Sequence, residues 1–292
     1  MKISDLLKLV RINQWIKNGF IFMPLIFSGK LSDPHDLAAV SFIFIIFCLL
    51  SSSVYILNDL VGLDNDKVHP KKRLRPLARG AIKKAPAVII LAALLIASLV
   101  LSYRAGASIF VITLLYLITH LAYNIALKNA VILDVISIAI GFELRVWAGA
   151  MAINLLPSAW LQLCIFLLAL LLSFTKRKGE KRLLDTRAAE HRDVLAHYSA
   201  SFLDQMITIS SALCVMAYSL YVLTGEMASK FSHPYMLYTI PFVIYGISRY
   251  LYLADSKKMD GDPEEVFAAD GPFILNSVLW LCSVIFILYR LK

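Results

Sequence analysis

Charged residues make up only 17% of the 292 residues, cysteines number four, and internal repeats and low-complexity tracts are absent. Each scarcity excludes something. With 59% hydrophobic residues and a mean hydropathy of +0.73, no soluble domain of this length could hide so much apolar surface. Cys48, Cys164, Cys214 and Cys282 lie far apart without ligand-like spacing, so neither a disulfide framework nor a zinc site follows. They are read as small apolar packing residues. Met1 to Asn18 is polar and amphipathic and lacks the basic tip and apolar run of a cleavable signal peptide. A convincing catalytic His or Ser constellation is also missing, and no nucleic-acid partner is expected.

What is present is a series of apolar runs. Segments of about twenty residues, enough to cross a ~30 Å hydrocarbon core, fall at about 14–30, 36–57, 84–103, 106–126, 131–153, 157–175, 202–224, 234–253 and 272–291. These predict an all-α, polytopic membrane protein, a single-domain bundle of about nine spans embedded in a lipid bilayer. The basic residues are unevenly placed. With nine spans, 22 of the 29 Lys and Arg fall on the side of the N-terminus, which predicts that side to be cytoplasmic.

The densest polar stretch follows the second run, from Asn58-Asp59 through Asp64 and Asp66 to Lys71, Lys72, Arg73 and Arg75. Carboxylates alone would repel a phosphorylated substrate and cations alone would hold one loosely. Carboxylates that hold Mg²⁺ beside Lys and Arg make a complete diphosphate site. On a continuing helix Asp59 and Asp66 share a face, flanked by Asn58 and position 62, while Asp64 points about 140° away. A charged loop that only sets orientation is the plainer reading, but carboxylates contribute little to orientation.

This segment resembles the first aspartate-rich motif of the UbiA superfamily of intramembrane prenyltransferases, Asn-Asp-x-x-Asp-x-x-x-Asp, followed by His-Pro-x-Lys-x-x-Arg-Pro. Asn58, Asp59 and Asp66 fall on the motif, and Gly62 stands where the middle Asp is expected. The resemblance implies metal binding by Asp59, Asp66 and Asn58, with Asp64 able to take part only if the helix bends at Gly62. Arg11, Gln14, Trp15 and Asn18 form a polar stripe with Lys17 beside it, which either lies at headgroup level or lines the site. The run Arg11 to Phe20 also resembles the opening of the decaprenyl-phosphate phosphoribosyltransferase branch. Tyr123 and Lys128 are similar to the family's tyrosine-and-lysine motif, with one extra residue between them.

Asp134, Glu143 and Arg145 interrupt an otherwise apolar run, where charges are costly and face a cavity or a partner. Asp134 and Arg145 share a helical face but stand roughly 16 Å apart, too far to pair. For Arg145 an interhelical salt bridge and substrate binding both stand. The second basic cluster, Lys176, Arg177, Lys178, Gly179 and Glu180, sits where prenyl-diphosphate enzymes of the superfamily carry a second aspartate motif. The stretch from Ser173 to Met206 and Gly261 to Phe267 also resemble the phosphoribosyltransferase branch.

The resemblance implies transfer of 5-phosphoribose from phosphoribosyl pyrophosphate to a polyprenyl phosphate, with Mg²⁺ as cofactor. Lys17, Lys72, Arg73, Arg75, Lys176 and Arg177 would then clamp phosphates alongside Arg11, Gln14, Tyr123, Lys128, Arg145 and Glu180. An aromatic prenyltransferase with a prenyl diphosphate donor is the alternative within the superfamily. A lipid-phosphate flippase or transporter is the alternative of another class.

Overall fold

The computed structural model describes residues 2–68, 71–184, 193–224, 235–256 and 270–291, and all regular structure in them is helical. His69, Pro70, the stretch from Asp185 to Arg192 and the segment Gly261 to Phe267 lie outside the described residues. The chain divides into two compact units, Met1–Ala126 with Leu144–Leu156, and Leu127–Glu143 with Pro157–Lys292.

The first unit opens with α1 (Ile3–Leu9), a 3-10 helix over Ile12–Phe22 and α2 (Met23–Phe27). The long α3 (Pro34–Val61), the short α4 (Leu63–Val68), α5 (Lys84–Ala105) and α6 (Ala107–Ile125) follow. Helix α7 (Leu133–Ala152) contributes its first half to the second unit and its second half to the first. The second unit continues with α8 (Ala159–Leu184), α9 (Asp193–His197), α10 (Ala200–Thr224), α11 (Ile240–Ser256) and α12 (Gly271–Arg290).

Seven of these helices, α3, α5, α6, α7, α8, α10 and α12, are long and apolar enough to cross a membrane. They coincide with seven of the nine expected runs. The first and eighth runs take other forms. The first is the 3-10 helix followed by a five-residue α2 with Pro24 in its first turn, and Gly29 at φ 80° follows its end. The eighth becomes a 3-10 turn over Tyr235–Thr239 and then α11, where Pro241 sits in the first turn, as proline at a helix start requires. Its seventeen residues rise about 25 Å, short of a ~30 Å core.

Helix α3 is the axis of the first unit. Asp33 caps it by accepting from the His35 amide at 2.8 Å, and Pro34 pre-sets its first turn. Val40, Ile43, Phe47, Leu50 and Val54 make its buried face, against Ile109, Ile112 and Tyr116 of α6. Ser51, Ser52 and Ser53 are buried as well, as expected for small residues facing the bundle interior. Ser51 and Ser53 donate within the helix to the Cys48 and Leu50 carbonyls, and Ser52 donates to the Val10 carbonyl of the N-terminal segment. In the second unit α10 packs along α8, burying Leu171, Phe174, Leu203 and Ile207, while α11 and α12 meet around Tyr250, Leu253 and Phe273.

One close approach sets the spacing in the first unit. A Cβ placed on Gly149 of α7 would overlap the Ile21 carbonyl oxygen and lie 2.8 Å from its carbon. Glycine there lets the helix touch the 3-10 backbone directly, the close packing that small residues permit between membrane helices. Gly149→Ala is expected to destabilise by about 1–3 kcal/mol through overpacking. Thermal unfolding of the detergent-solubilised protein checks this; an unchanged midpoint would show that the contact is loose.

Candidate active site

The candidate site lies in the first unit, where α3 ends. Gly62 interrupts the helix at φ −92°, ψ 11°, and α4 resumes at Leu63. The phase is nevertheless kept, because the Gly62 amide still bonds the Asn58 carbonyl and the Asp66 amide the Gly62 carbonyl, each at 2.9 Å. Asp59 and Asp66 therefore stay on one side, 2% and 6% exposed. Asp64 remains outside, its side chain 89% exposed and paired with Lys67 at 2.9 Å. The Lys67 hydrogen bond holds its carboxyl below the usual range. The interruption at Gly62 thus does not turn Asp64 inward.

The two buried carboxylates share one cation. Arg75 Nη1 reaches Asp59 Oδ1 at 3.0 Å and Asp66 Oδ2 at 2.6 Å, and Arg11 Nη2 bonds the same Asp59 oxygen. Two anions this deeply buried would be strongly destabilising without such a partner. Arg11 itself adopts a left-handed conformation, φ 53°, ψ 54°, with its guanidinium over the Tyr55 ring. Such backbone costs on the order of 1–3 kcal/mol and persists where the surroundings over-determine it. The Asn58 Oδ1 is buried without a hydrogen-bond partner beside this pair in sequence.

No third acid joins them: among the described residues no group of three His, Cys, Asp or Glu is assembled for a metal. Position 62 is tight against its own helix. A Cβ on Gly62 would meet only the Asn58 carbonyl oxygen of its own helix, at 3.1 Å. Gly62 is therefore not required for packing against another helix. Lys72 lies in a 3-10 turn over Lys72–Leu74 ahead of Arg75, and Arg73 beside it is exposed.

The opening stripe packs inward. Trp15 Nε1 donates to Ser52 Oγ at 3.0 Å and Asn18 Nδ2 to Ser51 Oγ at 3.2 Å, so both grip α3. Gln14 and Lys17 lie on the same 3-10 helix, partly exposed. Deeper in the same unit Arg145, 4% exposed, donates from Nε to Asn18 Oδ1 at 2.8 Å and from Nη2 to the Tyr116 hydroxyl at 2.7 Å. Tyr116 stacks on His120. Tyr123 lies a turn further along α6, partly exposed.

In the second unit Lys128 occupies a 3-10 turn over Leu127–Asn129. Arg177 is 1% exposed, and its Nε bonds Asp134 Oδ2 at 2.8 Å while Nη1 pairs with Glu180. Tyr198 completes the cluster, donating to Asp134 Oδ1 at 2.6 Å and accepting from the Ile132 amide at 2.7 Å. Burial, then the Asp134 bond, pushes its phenol above the ordinary value. Arg177 and Glu180, expected to meet substrate phosphate, here anchor α8 to the start of α7, and Lys176 sits partly exposed one residue earlier. Sequence reasoning placed Asp134 as a charge seeking a partner but did not find the partner, because a contact over 43 residues leaves no local pattern.

Seven helices long and apolar enough to span, with a buried, arginine-bridged carboxylate pair at the end of one of them, define a multi-pass integral membrane protein. The UbiA prenyltransferase family matches residues 21–287, and the chain belongs to that family of membrane transferases. The decaprenyl-phosphate phosphoribosyltransferase of Mycolicibacterium smegmatis is 32% identical, over 97% of this chain and 92% of that one. That of Corynebacterium glutamicum is 27% identical over 98% and 87%, and the nodulation protein NoeC of Azorhizobium caulinodans 26% over 96% and 92%. Among solved structures, a UbiA homolog from Archaeoglobus fulgidus bound to DMAPP and Mg²⁺ matches with a TM-score of 0.70 at 18% identity, covering 97% of this chain and 98% of that one. The apo UbiA homolog from Aeropyrum pernix matches with a TM-score of 0.65 at 14% identity, over 92% and 96%. At these identities the likeness is one of fold.

Removing one partner of a buried ion pair costs about 3–5 kcal/mol, whereas replacing both with apolar groups is often neutral. Asp134→Ala should therefore lower the unfolding midpoint sharply, and Asp134→Leu combined with Arg177→Met should recover most of the loss. Thermal unfolding of wild type and the two variants tests this; equal losses in the single and double variants would contradict a mutually compensating pair.

Proposed function

We propose that this protein transfers 5-phosphoribose from phosphoribosyl pyrophosphate to a polyprenyl phosphate. One observation carries the reading: at the end of α3 two carboxylates, Asp59 and Asp66, converge on one arginine nitrogen, whereas the position of the second aspartate motif holds Lys176, Arg177 and Glu180 instead. The named relatives, matched along nearly their whole length, support the same donor and acceptor.

The residues fit a divalent cation. Asp59 and Asp66 already converge on one cationic nitrogen, and Asn58 offers a buried oxygen with no partner. Two carboxylates suffice where the substrate's own phosphates complete the coordination, as is usual for Mg²⁺. Bound there, Mg²⁺ would neutralise the charge that develops on the leaving pyrophosphate. Arg11 and Arg75 supply fixed guanidinium groups for the donor's phosphates, with Lys72 and Arg73 at the loop's edge. In the transfer the bond between ribose C1 and the pyrophosphate oxygen breaks, a bond from C1 to an acceptor phosphate oxygen forms, and pyrophosphate leaves. The acceptor phosphate is an anion near neutral pH, so no general base is needed, consistent with a site built of carboxylates and arginines. The loop between α3 and α5 is itself rich in Lys and Arg, from Lys67 through Lys71, Lys72, Arg73, Arg75 and Arg79 to Lys83, which favours a cytoplasmic site.

Purified protein offered phosphoribosyl pyrophosphate, polyprenyl phosphate and Mg²⁺ should release pyrophosphate and form the phosphoribosylated lipid. With prenyl diphosphate and 4-hydroxybenzoate it should yield nothing. Asp59→Ala and Asp66→Ala should each lower the rate at least 10²-fold, as loss of a charge-stabilising element does, and Asp64→Ala should stay within a few-fold of wild type. Turnover of the prenyl diphosphate alone would replace this reading with an aromatic prenyltransferase. Phospholipid movement without turnover would replace it with a transporter.

A further inference from the structure

The N-terminal helix carries a second basic site that the proposed reaction does not use. A cavity of about 530 Å³ is lined by Lys2, Ser4, Asp5 and Lys8 of the N-terminal segment and by Arg79 and Ala81 beyond the carboxylate loop. Asp5 is 7% exposed and neutralised by an ion pair with Arg79. Lys2 and Lys8 are exposed and make no hydrogen bond or ion pair among the described residues. The cavity therefore has two uncommitted positive charges and a guanidinium at its wall.

The same helix has three distinct faces. Asp5 and Leu9, four apart, are buried against the first unit, where Leu9 packs with Ile56, Leu63, Leu77 and Ile82. Ile3 and Leu7, also four apart, are 77% and 45% exposed. Ser4 and Lys8 lie between these faces and turn to the cavity. In a membrane protein, an exposed apolar face beside a basic one is the arrangement of a segment lying in the interface, with its apolar side chains among the acyl chains and its cations at the phosphates.

We propose that this cavity holds the headgroup of an anionic phospholipid, with Lys2 and Lys8 on the phosphate and Ile3 and Leu7 against the acyl chains. The site would fasten α1 to the leaflet surface, and α1 leads directly into Arg11, whose side chain holds Asp59. Because Arg79 is committed to Asp5 and structures the cavity wall, Lys2 and Lys8 carry the selectivity for anionic over zwitterionic headgroups.

Native mass spectrometry of the full-length protein in detergent, titrated separately with phosphatidylglycerol and phosphatidylcholine, tests this. Wild type should retain phosphatidylglycerol in preference. Lys2→Gln with Lys8→Gln should weaken that retention roughly tenfold, since each basic residue near a lipid surface contributes appreciably, and leave phosphatidylcholine unchanged. A second variant, Ile3→Ser with Leu7→Ser, should also weaken retention. Undiminished phosphatidylglycerol binding in the lysine variant would overturn the proposal. So would displacement of the lipid by millimolar inorganic phosphate, which would assign the cavity to a free anion. A raised KM for phosphoribosyl pyrophosphate in the lysine variant with lipid binding intact would assign it to the donor instead.

Discussion

Two carboxylates buried at the end of an apolar helix cannot stand without a cation, and the first unit is arranged to supply one. Asp59 and Asp66 are almost fully enclosed, and a single guanidinium nitrogen of Arg75 touches both. Arg11 adds a second cation to Asp59 from a left-handed backbone position. The 3-10 helix that follows Arg11 is tied to α3 through Trp15 and Asn18, and to α7 through Asn18 and Arg145 and through the bare backbone contact at Gly149. The helix packing that positions Arg11 and the charge balance at Asp59 are thus one problem with one solution.

The second unit handles charge differently. Arg177, Asp134, Glu180 and Tyr198 satisfy one another in a buried cluster at the start of α7 and the end of α8. A buried pair of this kind is weak evidence for net stability, yet removing one member leaves an uncompensated buried charge. Two basic clusters that look alike as sequence therefore have different work. One lies beside a carboxylate pair with Lys72 and Arg73 near solvent, and the other has its central arginine withdrawn into the core.

Much of this was legible in the sequence. Seven apolar runs became long helices because nothing in them competes with helix formation, and the seven-residue spacing of Asp59 and Asp66 correctly put them on one side with Asp64 off it. The phase survived even the interruption at Gly62, since the hydrogen bonds on either side remain four residues long. The two runs that failed to become long helices contain prolines near where the helix is delayed, Pro24 and Pro241, so the signal was present but was outweighed by hydropathy. What was not legible is long-range: that Arg75 bridges both acids, that Arg177 finds Asp134, and that Gly149 meets Ile21. Each depends on helices brought together from distant segments, and no local spacing encodes it.

The central claim is that Asp59 and Asp66 jointly hold a divalent cation that is completed by the donor's phosphates. Electron–nuclear double resonance on Mn²⁺ substituted for Mg²⁺ reads this directly through coupling to phosphorus. With phosphoribosyl pyrophosphate present, wild type should show strong ³¹P coupling, and Asp59→Asn and Asp66→Asn should each lose the bound-Mn²⁺ signal while Asp64→Asn keeps it. Strong coupling that persists in both Asp59→Asn and Asp66→Asn would contradict the account.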